Sequence, residues 1–168
     1  MQLRSLLLAV TLVGTTATAH AQDPTGNWLV ENGEAVVRIV DCGGTLWGVV
    51  AWQKTPLGRD VHNPEPALRN RPTLGMPVLL HMRRGEEPAS WEGEIYNARN
   101  GKTYDATMTL QGADSLQIEG CTLGVLCGGQ DWQRVEPPDA ITTGSAPAAP
   151  DAPQAICSRI LSGSGRPH

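Results

Sequence analysis

The chain contains no phenylalanine and only two tyrosines, so bulky aromatic burial has to come from its five tryptophans. Beyond the first 21 residues it has no apolar run long enough to span a bilayer, which excludes a transmembrane segment from the remainder. It has no excess of basic residues. The formal net charge is −4, and a mildly acidic chain has no electrostatic reason to bind nucleic acid or an anionic membrane. It has no glycine-rich phosphate loop, and neither Ser90 nor Ser115 sits in a nucleophile elbow. There is no C-x-x-C pair, and His62 and His81 stand at no ligand spacing, so neither metal nor cofactor is expected. No internal repeat is present.

An export signal opens the chain. Arg4 supplies a positive start, residues 5–13 an apolar stretch too short to anchor, and Ala19-His20-Ala21 the small residues that a signal peptidase reads. Cleavage is expected after Ala21, with periplasmic or secreted delivery. Loss of residues 1–21 removes one basic side chain and moves the formal charge from −4 to −5. Residues 22–135 then form one domain of 114 residues. From residue 136 to 168 the composition turns to Pro, Ala, Ser, Gly and Thr, which cannot bury enough surface to offset its ordering entropy and reads as a disordered tail. The apolar segment 155–161 is the exception, and docks if Cys157 is bridged.

Within the domain the hydrophobic period is two. Strands are expected over 26–30, 34–40, 46–52, 78–82, 90–96, 103–110, 115–118 and 130–135. Turn signals separate them, among them Glu31-Asn32-Gly33, Cys42-Gly43-Gly44 and Arg99-Asn100-Gly101. Asn100-Gly101 predicts a type I′ hairpin turn. Residues 53–75 hold four Pro and six charged side chains without alternation, so they form a long irregular connection with a short helical turn near 65–69. Eight consecutive antiparallel strands in so short a chain predict an all-β, up-and-down barrel, because closure removes exposed edges. A flattened sandwich is the alternative.

Several motifs, taken in order, carry a family resemblance: Gly26-x-Trp28, Val37-Arg38-Ile39, Cys42-Gly43-Gly44-x-Leu46-x-Gly48, Trp52, Asp60-x-x-Asn63-Pro64, Leu68-x-x-Arg71-Pro72, Ile95-Tyr96-Asn97, Gly101-Lys102-x-Tyr104 and Trp132-x-Arg134. Over residues 23–135 the chain resembles the secreted bacterial domain-of-unknown-function family 2147. The resemblance implies a lipocalin-like (calycin) barrel and no established activity, substrate or catalytic set. It departs at Trp47, where the family often has Cys, so no disulfide scheme carries over.

Four cysteines in an exported chain favour bridges, with three connectivities open. Cys121 and Cys127 flank a hairpin-like turn, which favours Cys121–Cys127 together with Cys42–Cys157. Asp60, His62 and Asn63 lie in the irregular connection, where functional residues concentrate. His62 beside a carboxylate is a candidate base, against the plainer reading that Asp60 and Asn63 hold the loop. Glu92 and Glu94 share one strand face, expected to be solvated. Arg134 opposite Trp28 either stacks on the indole to close the barrel or anchors a ligand carboxylate. The candidate ligand-binding residues are Trp52, Asp60, Asn63, Tyr96, Asn97 and Arg134. The favoured function is a binding protein for a small apolar or amphipathic ligand in the barrel. Two readings compete: an envelope protein-interaction module acting through residues 53–75, and an enzyme using Asp60 and His62. If the tryptophans fill the interior, the ligand reading fails.

Overall fold

The computed structural model describes residues 23–55, 58–122, 126–136 and 152–163. The expected export signal at 1–21, and the tail at 137–151 and 164–168, lie outside these residues. Eight strands run in chain order: β1 (Gly26–Leu29), β2 (Ala35–Asp41), β3 (Leu46–Gln53), β4 (Pro77–Arg84), β5 (Ser90–Asn97), β6 (Lys102–Leu110), β7 (Ser115–Thr122) and β8 (Leu126–Val135). Each pairs antiparallel with the next, and β8 returns to β1 through Trp28 opposite Arg134, closing an up-and-down barrel. Strands β7 and β8 are longer than their apolar alternation indicates. Gly120, Gly128 and Gly129 interrupt the pattern in the sequence but remain in the ladder, pairing Gly120 with Gly128.

The barrel interior is packed over one half of its length. Trp28, Ile39, Leu46, Leu79, Met82, Trp91, Met108, Leu116 and Trp132 form a continuous buried cluster. This half is closed by Arg134, whose guanidinium carbon sits 4.2 Å from the centre of the Trp28 ring. Its N–H groups donate to the carbonyls of Ala113 (2.6 Å), Thr25 (2.7 Å) and Asp23 (2.9 Å). Gly26 leaves room for this crossing: a Cβ there would stand 2.7 Å from Arg134 Nη1.

Strands β2 and β3 read as almost unbroken apolar runs because both of their faces are covered. Val37 and Ile39 face the interior, whereas Val40, Trp47 and Val49 join a second cluster on the outer wall with Leu80 and Tyr96. That outer cluster is covered by helix α1 (Pro153–Leu161), which buries Ile156 and Ile160, one turn apart, against it. Each such side chain is worth about 1.5–3 kcal/mol of burial. The helix begins with Pro153, whose missing N–H costs nothing in the first turn. Cys157 ties it to Cys42, and the second disulfide joins Cys121 to Cys127 across β7 and β8. Helix α1 thus holds the apolar segment 155–161, singled out as the exception in the tail, and begins two residues before it; tether and apolar stripe together order residues 153–161.

The turn at Asn100-Gly101 is also different from expectation. Asn97 pairs with Lys102, leaving a four-residue loop in which only Gly101, at φ +68°, takes the left-handed conformation. Its N–H, like that of Asn100, donates to the carbonyl of Asn97 (2.8 and 3.2 Å). A two-residue I′ turn would need positive φ at Asn100 as well. Positive φ occurs instead at His81 (52°), where β4 slips register and the ring meets Trp47 edge-on at 4.2 Å, and at Ala89 (58°).

Candidate functional site

The other half of the barrel is open. The β1–β2 and β5–β6 turns, the described part of the β3–β4 connection from residue 58 on, and the ends of β7 and β8 at Thr122 and Leu126 lie at this end around a cavity of about 940 Å³. Small-molecule pockets measure roughly 300–1,000 Å³, so the interior is not filled by its tryptophans. Only Trp28, Trp91 and Trp132 belong to the interior core, while Trp47 packs outside it. Trp132 forms part of the cavity wall, its indole N–H donating to Gln130 Oε1 at 3.1 Å. Val37, Val50, Val78, Ile95 and Ile118 supply the apolar walls. On β7 and β8 two of the inward positions are the paired glycines Gly120 and Gly128. A Cβ on Gly120 would touch Ile95 at 3.2 Å, but one on Gly128 would meet nothing within 4 Å. The cavity therefore owes part of its width to a missing side chain.

Polar groups gather at the mouth: Asn32, Glu34, Gln53, Arg59, His62, Asn97 and Arg99. Arg99 is ion-paired with Glu34 across the opening. Arg59 Nη1 donates to the Asn70 carbonyl at 2.6 Å. Between the polar groups stand two exposed apolar side chains, Val61 (56% exposed) and Leu126 (74% exposed).

The connection between β3 and β4 is irregular but firmly held. It contains a 3-10 turn at Pro66–Leu68, an isolated bridge from Arg59 to Pro72, and a fully buried pair, Asp60 and Asn63. Asp60 Oδ1 accepts from the Tyr96 hydroxyl at 2.7 Å. Oδ2 accepts from Asn63 Nδ2 (2.8 Å) and from Arg71 Nε and Nη2 (3.0 and 2.8 Å). Asn63 Oδ1 accepts the Glu65 N–H at 2.8 Å, an Asx turn that leads into the 3-10 turn. Burial first, then the hydrogen bond to the Asp60 carboxylate, pushes the Tyr96 hydroxyl up to about 12. Tyr96 alternates with the inward-facing Ile95 and belongs to the outer cluster, so this network lies on the flank of the barrel. It pins the connection beside the mouth. Gly101 locks against the same segment, since a Cβ there would overlap the His62 carbonyl.

The six candidate residues thus separate. Tyr96 and Asn97 line the mouth. Asn97 is also the turn's organiser, its Oδ1 accepting the Arg99 N–H at 3.0 Å. Trp52 is half-buried opposite Val36 and does not line the cavity. Asp60 and Asn63 are sealed in the flank, and Arg134 is at the opposite, closed end, so none of these four lines the cavity. Asp60 and His62 do not converge: the first is fully buried with both oxygens engaged, the second exposed at the mouth. Glu92 and Glu94 are exposed together, as a solvated face should be. Glu119, Cys121 and Cys127 bring possible metal ligands together on the outer face, but both sulfurs are bonded to each other. Sequence reasoning missed Arg59, Arg99, Gly120 and Gly128. The available signal was glycine at inward positions of strands that otherwise bury side chains.

Comparison with known proteins agrees with this architecture. Residues 26–134 match the family model described as "Uncharacterized protein conserved in bacteria (DUF2147)". No curated protein matches the chain. Among solved structures it is similar to protein HP1028 from Helicobacter pylori, described as belonging to the lipocalin family. The identity is 18%, the match covers 74% of this chain and 93% of that one, and the TM-score is 0.63. A likeness at this identity is one of fold.

Proposed function

From the premise that this chain belongs to the uncharacterised bacterial family DUF2147, we propose that it is an exported protein that holds a small apolar or amphipathic molecule in the open half of its barrel. The observation that carries this reading is the cavity of about 940 Å³ with largely apolar walls, a tryptophan within it and charged groups at its mouth. Such a combination is the usual form of a small-molecule site. Export is supported by the signal-like residues 1–21 and by two disulfides, which persist in oxidising compartments. Among the described residues no helix is long and apolar enough to cross a membrane. A binding role is favoured over catalysis because Asp60, the carboxylate that would assist the candidate base His62, has both oxygens occupied in a buried structural network while His62 is exposed at the mouth.

The test is binding of an uncharged, environment-sensitive apolar fluorophore such as N-phenyl-1-naphthylamine to the mature protein, combined with mass spectrometry of lipids extracted after purification. Saturable enhancement that a cavity-filling substitution abolishes is the expected result. Absence of saturable binding, with no co-purifying small molecule, would falsify the reading. The rival reading, a protein-docking module at residues 53–75, draws on the exposed Val61 in that segment. It predicts that filling the cavity changes nothing.

A further inference from the structure

We propose that the bound molecule is a single-chain amphiphile with an anionic head, seated tail inward and gripped at the mouth by Arg59 and Arg99. This rests on the cavity-binding reading above and adds the class of ligand. Below the rim the walls are mainly hydrocarbon, the Gln130 amide being engaged by the Trp132 indole N–H, and a charge placed there without a partner would bear a large desolvation cost. A charged head therefore stays at the opening. Apart from the titratable His62, the charged side chains lining the cavity are Glu34, Arg59 and Arg99, a balance of one positive charge in a chain whose net charge is −4. The sign at the mouth is opposite to that of the protein.

Both arginines are placed to change partners. Arg59 commits Nη1 to the Asn70 carbonyl, and a guanidinium carries five N–H donors in a planar fork that matches a carboxylate or phosphate. Arg99 is held over the opening by Glu34, in a pair whose side chains are 72% and 54% exposed. An ion pair so exposed is weak, on the order of 0–1 kcal/mol, so an incoming head group can displace the Glu34 carboxylate. Glu34 is thus a built-in competitor that keeps Arg99 in position while the site is empty. Val61 and Leu126, exposed on the rim, give an apolar chain a lip over which to enter. A cationic head would face two guanidinium groups.

The experiment compares dodecanoate, dodecyl phosphate, dodecanol and dodecyltrimethylammonium on the mature protein, below their micellar ranges, by displacement of the neutral fluorophore and directly by calorimetry. Dodecanoate or dodecyl phosphate should bind about tenfold more tightly than dodecanol, and the cationic chain more weakly still. The ratio of the two anions identifies which head is preferred. Arg59→Gln and Arg99→Gln should each shrink the anion-to-alcohol ratio several-fold, and higher salt should do the same. Glu34→Gln should raise it, a gain that a merely structural Glu34–Arg99 pair would not produce. Equal binding of all four chains, or preference for the cation, overturns the head-group assignment while leaving the cavity reading intact. Binding of no chain, together with no fluorophore binding, overturns both.

Discussion

Gly120 and Gly128 are paired directly across strands β7 and β8, and their inward positions leave a gap in the side chains of that cavity wall. Gly128 has nothing within 4 Å of where its Cβ would be, so a large side chain can enter the cavity there without displacing backbone. Gly128→Trp should leave the protein folded, with its thermal midpoint changed by no more than a few degrees. The same substitution should abolish binding of the neutral fluorophore. Circular dichroism and fluorescence titration on one sample check both halves. A folded variant with unchanged affinity would place the binding site elsewhere.

Arg134 joins β8 to the N-terminal segment through the Thr25 and Asp23 carbonyls and to the β6–β7 turn through that of Ala113, and it covers Trp28. Arg134→Ala should destabilise the fold by about 3 kcal/mol, since charged hydrogen bonds contribute roughly 1.5–3 kcal/mol each and do not add fully. Urea denaturation measures the loss. At a temperature where the variant remains folded, dodecanoate affinity should match that of the parent chain. A selective loss of dodecanoate affinity would instead assign Arg134 a role at the ligand.

Tyr96 donates to a fully buried carboxylate, and its hydroxyl is pushed up to about 12. A group whose folded pKa lies above its unfolded value near 10 keeps its full contribution below pH 10. That contribution falls as the pH rises from 10 through 12. Stability should therefore decline over that window, and Tyr96→Phe should flatten the decline. The substitution should also cost about 1–3 kcal/mol at neutral pH, because Asp60 loses a donor. Denaturant titrations at pH 7 and pH 11 for both proteins suffice. Parallel losses in the two proteins would remove Tyr96 as the cause.

Helix α1 has nine residues, too few to persist in water without its contacts. Replacing Cys42 and Cys157 together by alanine should release it, with rapid hydrogen exchange over residues 153–163. The disulfide spans a sequence separation of 115, for which chain-entropy reasoning gives a stabilisation of roughly 4–5 kcal/mol. Native-state exchange followed by mass spectrometry reads the helix directly. Protection retained in the double variant would show that Ile156 and Ile160 hold the helix unaided.

The barrel was legible in the residues for local reasons. Segments such as Ala106-Thr107-Met108-Thr109-Leu110 alternate cleanly because one face meets the core and the other water. The β2 and β3 segments also announced their two-sided burial by failing to alternate, although what covers the outer face was not readable from them. Helix α1 is brought there by a pairing of cysteines that are 115 positions apart, and only Ala155-Ile156 and Ile160-Leu161 hinted at it. Asp60 and Asn63 stood out correctly as unusual residues in a long connection. Their chemistry was not visible, because the partner that defines it, Tyr96, lies 36 positions from Asp60.

Taken alone, the sequence determined the succession of strands and favoured a closed barrel over a flattened sandwich. Both follow from short-range alternation, turn residues and the need to bury edges. Tertiary structure alone decided where empty space remains. A cavity is set by which inward positions of distant strands meet, and whether those positions carry glycine, as at Gly120 and Gly128, or a side chain. It also decided that Arg59, Glu34 and Arg99, drawn from three separate loops, share one mouth. No local pattern encodes such a meeting, because it exists only once the barrel has closed.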